Sequence, residues 1–152
     1  MKMAMKQLSC RSFAKLNLCL HVINRRDDGY HDIQSIFHVI DLHDTIIFKM
    51  NEGDSVNLHS TDKNLINNDN LIYKVCRMLS QKYNLKIGMD ITLEKKIPVG
   101  SGLGGGSSNA AVTLHAINRL YNIQLAKDEL LTLADQLGSD VPFFINGGTA
   151  YV

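Results

Sequence analysis

The stretch PVGSGLGGGSSNAA, Pro98 to Ala111, carries five of the chain's eleven glycines and follows them with two serines and two alanines. Each glycine loses more backbone entropy on folding than any other residue, so such a density has to serve something. Upstream, MDITLEKKIP alternates as a strand does and is ended by Pro98. Downstream, SSNAAVTLHAINRLY places Ala111, Leu114, Ile117 and Leu120 or Tyr121 at helical spacing. A glycine-rich loop between strand and helix, with the helix opening at Ser107, sets bare N–H groups at the positive end of a helix dipole. The two hydroxyls add donors. Such a place attracts an anion, and phosphate is the usual one.

Three phosphate-loop patterns compete. The nucleoside-triphosphatase pattern GxxxxGK[ST] fails, because Gly106 stands where lysine should be. Gly100, Gly102 and Gly105 satisfy GxGxxG by letter, but a dinucleotide fold needs a strand after the helix. Here LAKDELLTLADQLG follows, a second helix with Leu130, Leu133, Ala134 and Leu137 as its apolar stripe and Gly138 as its stop.

Working outward, SFAKLNLCLHVIN and DIQSIFHVIDL read as strands joined through the Asp–Gly turn of RRDDGYH. DTIIFKM and SVNLHS, split by NEGD, make a second hairpin candidate. The polar run STDKNLINND is a loop. It leads into a helix capped by Asp69 or Asn68, with Leu71, Ile72, Val75, Met78, Leu79 and Tyr83 on one face. SDVPFFINGGTAYV reads as a loop into a strand. That strand stops at Val152 with no polar tail, so we expect a longer protein.

Composition narrows the class. The chain has 152 residues, 45% hydrophobic and 20% charged, with a net charge of +1. Its basic residues are scattered, with only short pairs such as Arg25–Arg26 and Lys95–Lys96, which argues against a nucleic-acid binder. No apolar run approaches the ~20 residues of a membrane span, and the first residues lack the apolar core of a signal peptide. Cys10, Cys19 and Cys76 form no CxxC pair and are expected to be free thiols in a reducing cytosol. His38, Asp41, His43 and Asp44 cross a strand end at a spacing that fits no zinc pattern. A core-and-turn role is expected of them.

Lysine is unusual in the alternating apolar run around Lys15, and a buried lysine needs a partner. An edge-strand lysine that discourages aggregation is the plainer alternative. Lys15 and Asn17 share a strand face. Tyr30 and His31, taken alone, read as a hairpin tip with one aromatic packed down, and Asp140 as a turn residue.

The glycine stretch resembles the second motif of the GHMP superfamily, which comprises galactokinase, homoserine kinase, mevalonate kinase and phosphomevalonate kinase and reads roughly PxxxGLGSSSA. Pro98, Gly102, Leu103, Gly104, Ser107, Ser108 and Ala110 or Ala111 supply it. AKLNL (Ala14–Leu18), DDGYH (Asp27–His31) and LGSDVPFF (Leu137–Phe144) resemble three further motifs, of a branch whose substrate carries a cytosine base. Ser139 stands where the family usually has alanine.

The resemblance implies an α+β fold of the ribosomal protein S5 domain 2-like type, a mixed sheet with helices on one side and a left-handed βαβ crossover. It implies that residues 1–152 form an N-terminal ATP-binding domain, with the family's C-terminal domain absent from this chain. ATP and Mg2+ are the implied cofactors and a small molecule the implied partner, with no nucleic acid or membrane. By the same resemblance Asp140 is the catalytic base and Lys15 its partner near the transferred phosphate, while Asn17, Tyr30 and His31 hold the substrate. Pro98, Gly100, Gly102, Leu103, Gly104, Gly105, Gly106, Ser107 and Ser108 are implied to wrap the phosphates, with Asn70, Leu71 and Lys95 near the adenine. Magnesium is expected mainly on phosphates and water, with the Ser107 hydroxyl nearby and no protein carboxylate. Rival expectations are another GHMP small-molecule kinase, or a nucleotide- or RNA-binding module without catalysis.

Overall fold

The computed structural model describes residues 6–25, 29 and 31–152, with backbone alone at 25 and 31–33. Two long strands dominate it, β1 (Gln7–Arg25) and β2 (His31–Met50), paired antiparallel from Gln7↔Lys49 to Arg25↔His31. They form the first expected hairpin, and DIQSIFHVIDL and DTIIFKM prove to be one continuous strand. Gly29 between them takes a φ of 87°, the left-handed conformation a tight turn asks of glycine.

The second expected hairpin does not form. β3 (Val56–Ser60) lies parallel to β4 (Met89–Glu94), and β4 separates it from β2, with which β4 pairs antiparallel from Thr45↔Glu94 to Met50↔Met89. The path is β1-β2-β4-β3, with β5 (Thr149–Tyr151) on β2 at Ile36–His38. Burial explains the order. Met89, Ile91 and Leu93 of β4 are fully buried, whereas β3 buries only Leu58, so β4 takes the inner position and β3 the edge. The parallel β3–β4 pair is joined through α1 (Leu71–Tyr83), which makes the sheet mixed and supplies the βαβ unit.

Helices cover one face of the sheet. Ile72, Val75, Cys76 and Leu79 of α1, with Ala111, Leu114 and Ile117 of α2 (Gly105–Leu120), pack on Ile46 and Phe48 of β2 and the buried side of β4. α3 (Lys127–Asp135) adds Leu130, Leu133 and Ala134. The cap of α1 is Asn70, whose side chain accepts from the Ile72 N–H at 2.9 Å, rather than Asp69 or Asn68. α2 begins at Gly105, two residues ahead of Ser107.

The segment read as a loop into a strand contains a further helix, α4 (Val141–Asn146), with Pro142 in its first turn. Proline's fixed φ and missing N–H suit that position. Val141 and Phe143 are buried, so the short helix is held by packing. No helix among the described residues is long and apolar enough to cross a membrane.

Candidate active site

The glycine loop is fastened to the first strand by its backbone, the Lys15 N–H donating to the Leu103 carbonyl at 2.9 Å. Gly104, φ 72°, then turns the chain into α2. A Cβ there would stand 2.7 Å from a Phe144 ring carbon and 3.1 Å from Lys15 Cγ. Conformation and space therefore both demand glycine. The first turn of α2 has no side-chain cap, and its earliest repeating bond is Ser108 N–H to Gly104 C=O at 2.8 Å. The N–H groups of Gly105, Gly106 and Ser107 precede that bond and carry the positive end of a sixteen-residue helix. They open on a cleft of about 400 Å³ lined by the loop, Asn70, Leu71, Lys95 and Asp140.

Asp140 occupies the N-cap position of α4, yet its side chain makes no capping bond. Its carboxylate instead stands 3.5 Å from Lys15 Nζ. The two ends of the pair differ. The lysine side chain is 4% exposed, and the carboxylate is 34% exposed and lines the cleft. Lys15 Nζ also donates to Asn17 Oδ1 at 2.6 Å and lies 3.8 Å from the centre of the Phe37 ring. A buried ammonium is thus satisfied by a carboxylate, an amide oxygen and an aromatic face. This arrangement can orient a carboxylate toward a hydroxyl next to an anion site, which is the geometry a proton acceptor in phosphoryl transfer requires.

Of the residues expected at the phosphates and adenine, all but one line the cleft. Ser108 is the exception: buried, its Oγ accepts from Ser12 Oγ at 2.8 Å, within the protein. Lys95 reaches the cleft wall, but its ammonium is committed to Asp44 Oδ2 at 3.0 Å and to the Ile97 carbonyl. Tyr30 lies outside the described residues, as does the side chain of His31, whose backbone pairs with Arg25. Ser107, the residue expected near a magnesium ion, lines this cleft. Among the described residues no three His, Cys, Asp or Glu side chains gather as a metal cluster.

The sequence reading passed over Leu65, Val99, Ser101 and Asn109 in the lining, and Ser12 beneath it. It also gave Asp44 no more than a core-and-turn role. Asp44 is fully buried under the loop, whereas the neighbouring His43 ring sits on the opposite side of β2 against Phe13, centroids 5.3 Å apart. Alternation along the strand separates these residues. The same alternation was the available signal, since Asp44 is in phase with Ile46 and Phe48.

The mixed sheet with one helical face agrees with the family comparison. The family model described as GHMP kinases N terminal domain matches residues 70–148, and the chain belongs to that family. A curated relative from Francisella tularensis subsp. novicida (strain U112), named 4-diphosphocytidyl-2-C-methyl-D-erythritol kinase, is 46% identical over 92% of this chain and 51% of its own length. A relative of the same name from Shewanella loihica (strain ATCC BAA-1088 / PV-4) is 48% identical over 91% of this chain and 49% of its own. Among solved structures, that of a 4-(cytidine 5'-diphospho)-2C-methyl-D-erythritol kinase superposes with a TM-score of 0.80 at 37% identity. The superposition covers 95% of this chain and 51% of that one. The chain spans about half the length of the curated relatives it matches.

Proposed function

We propose that residues 1–152 are the N-terminal, ATP-binding domain of a kinase that phosphorylates the 2-hydroxyl of 4-diphosphocytidyl-2-C-methyl-D-erythritol, in isoprenoid precursor biosynthesis. The observation that carries this reading is the Lys15–Asp140 pair, 3.5 Å apart, with its carboxylate facing the glycine cleft. Asp140 accepts the proton of the substrate hydroxyl as that oxygen attacks the γ-phosphorus of ATP. The bond from the γ-phosphorus to the bridging oxygen breaks, and ADP leaves. Lys15, 3.5 Å away, holds the carboxylate in place and adds positive charge near the moving phosphoryl group.

Gly102 to Ser107 cradle the phosphates through backbone N–H groups, with Asn70, Leu71 and the Lys95 stem toward the adenine. Asn17 holds the substrate beside Lys15, Tyr30 stacks on the cytosine and His31 bonds its edge. Magnesium, when bound, would neutralise phosphate charge and would be held mainly by phosphate oxygens and water, with the Ser107 hydroxyl in the same cleft. The second half of the full protein forms the facing wall. The exposed apolar side chains Leu16, Leu18, Leu20, Val22 and Tyr151 on the β1–β2–β5 region support its docking there. Three unpaired cysteines support a cytoplasmic setting.

A phosphorus NMR time course on the full-length protein with ATP and the cytidyl substrate tests the proposal. ADP and a new phosphomonoester should appear together, with homoserine and mevalonate left untouched. Phosphorylation of either of those in preference to the cytidyl substrate would move the chain to another GHMP kinase. The isolated 152-residue chain should show little or no turnover, and brisk transfer by it would remove the need for a second domain.

A further inference from the structure

We propose that Asp44, a carboxylate outside the reacting centre, is a positioning residue that holds both ends of the phosphate loop; this rests on the ATP-binding reading of the cleft. Asp44 is fully buried on the helix side of β2. Its Oδ1 accepts the backbone N–H groups of Lys96 at 2.7 Å and Ile97 at 2.8 Å, the two residues that lead into Pro98. Its Oδ2 takes the Lys95 ammonium at 3.0 Å. The other end of the loop is reached through Asn109, in the second turn of α2. In the amide orientation that satisfies its neighbours, the Asn109 nitrogen meets Asp44 Oδ2 (3.1 Å), the Gly105 carbonyl (3.1 Å) and Ser12 Oγ (2.7 Å). Ser12 Oγ donates onward to Ser108 Oγ.

One carboxylate therefore ties the chain just before the loop to the helix turn just after it, and both to the sheet. The fit is close, since a Cβ on Gly105 would come within 3.1 Å of Lys95 Nζ and 3.0 Å of Ile97 Cγ2. Apolar residues of similar volume commonly stabilise a core as well as a buried ion pair does, so stability alone gives weak reason for this one. Geometry gives a stronger reason. The N–H groups of Gly105, Gly106 and Ser107 point as the first turn of α2 points, and that turn is fixed through Asn109 and Asp44. Asp44 sets the aim of the phosphate donors without touching the nucleotide.

The test uses the full-length enzyme and direct binding, by displacement of a fluorescent ATP analogue with ATP and with adenosine. Asp44→Asn should weaken ATP about tenfold while adenosine changes less than about twofold, because only the phosphates meet the loop. The double variant Asp44→Asn with Lys95→Met removes both charges. It should recover most of the thermal stability lost in the single variant yet keep the ATP-selective defect. Asn109→Ala, which frees only the helix end, should show the same selectivity at about threefold. Equal weakening of ATP and adenosine, or a double variant that regains ATP affinity together with stability, would overturn the proposal. A protein that binds ATP but leaves the cytidyl substrate unphosphorylated would count against the proposed function while the Asp44 test stands.

Discussion

Two lysine–aspartate pairs flank the glycine loop, and they are built in opposite ways. Lys95 and Asp44 stand 3.0 Å apart with side-chain exposures of 8% and 0%, and the carboxylate also receives two backbone N–H groups. Lys15 and Asp140 stand 3.5 Å apart, the lysine shielded and the carboxylate a third open. A carboxylate already surrounded by protein donors has nothing left to offer a ligand and can only hold shape. One with an open side can still receive a proton from a hydroxyl in the cleft. Exposure and spare hydrogen-bonding capacity, rather than the ion pair itself, separate a group that reacts from a group that positions.

The largest effect that could break this comparison is at the open carboxylate. Asp140→Asn keeps the shape of the side chain and should lower kcat of the full enzyme by about 10²- to 10⁴-fold. Its KM for ATP should change little. Normal turnover in a folded Asp140→Asn protein would end its assignment as the base. Next comes Lys15→Met, which removes the ammonium that stands beside Asp140 and over the Phe37 ring. Turnover should fall by about 10²- to 10³-fold, the loss typical of one donor aimed at developing charge. If Lys15→Met costs less than the Asp44→Asn change costs ATP binding, the division of labour between the pairs is reversed.

Both pairs contain residues the sequence exposed unequally, and the reason is physical. Lys15 stood out because it interrupts an apolar alternation, and Asp140 because it lies in a recognisable segment. Asp44 was hidden among the charged and polar letters of DLHD, where a turn is the ordinary reading, although its phase with Ile46 and Phe48 marks it as inward. Helical phase divides the two serines in the same way. With α2 starting at Gly105, Ser107 is left on the cleft side and Ser108, about 100° further round, points at Ser12. The glycine loop between β4 and α2, the first hairpin and the three longer helices were legible because each depends on local pattern. The place of β4 between β2 and β3 was not, since strand order is decided by which apolar faces need covering on both sides. α4 was missed because six residues with an early proline leave too little periodicity to read.

Glycine substitutions sharpen the contrast between a fixed loop and its free surface. Gly104→Ala puts a Cβ against Phe144 at a positive φ, and should lower the stability to urea by about 1–3 kcal/mol. Gly106→Ala, inside α2 with nothing within 4 Å of the new Cβ, should be neutral or stabilising by up to about 1 kcal/mol. Equal responses at the two positions would mean that the loop does not depend on the tight seating of Gly104.

A third carboxylate completes the comparison and carries the smallest effect. Asp90 lies on the helix-free face of β4, where Asn57 donates to its Oδ1 at 2.8 Å and Asn51 at 3.2 Å. Those two bonds, chiefly the one from Asn57, hold its carboxyl below the usual carboxylate range. A carboxyl whose pKa is lower folded than unfolded favours the folded state above the unfolded value, about 3.9. That contribution disappears as pH falls through the lower folded value. Wild type should therefore exceed Asp90→Asn slightly in urea midpoint at pH 7, and the gap should close between about pH 5 and the depressed pKa. A gap that stays constant into acid would show that the amides hold Asp90 by shape and not by charge. Asp90 would then stand with neither the buried nor the open carboxylate beside the loop.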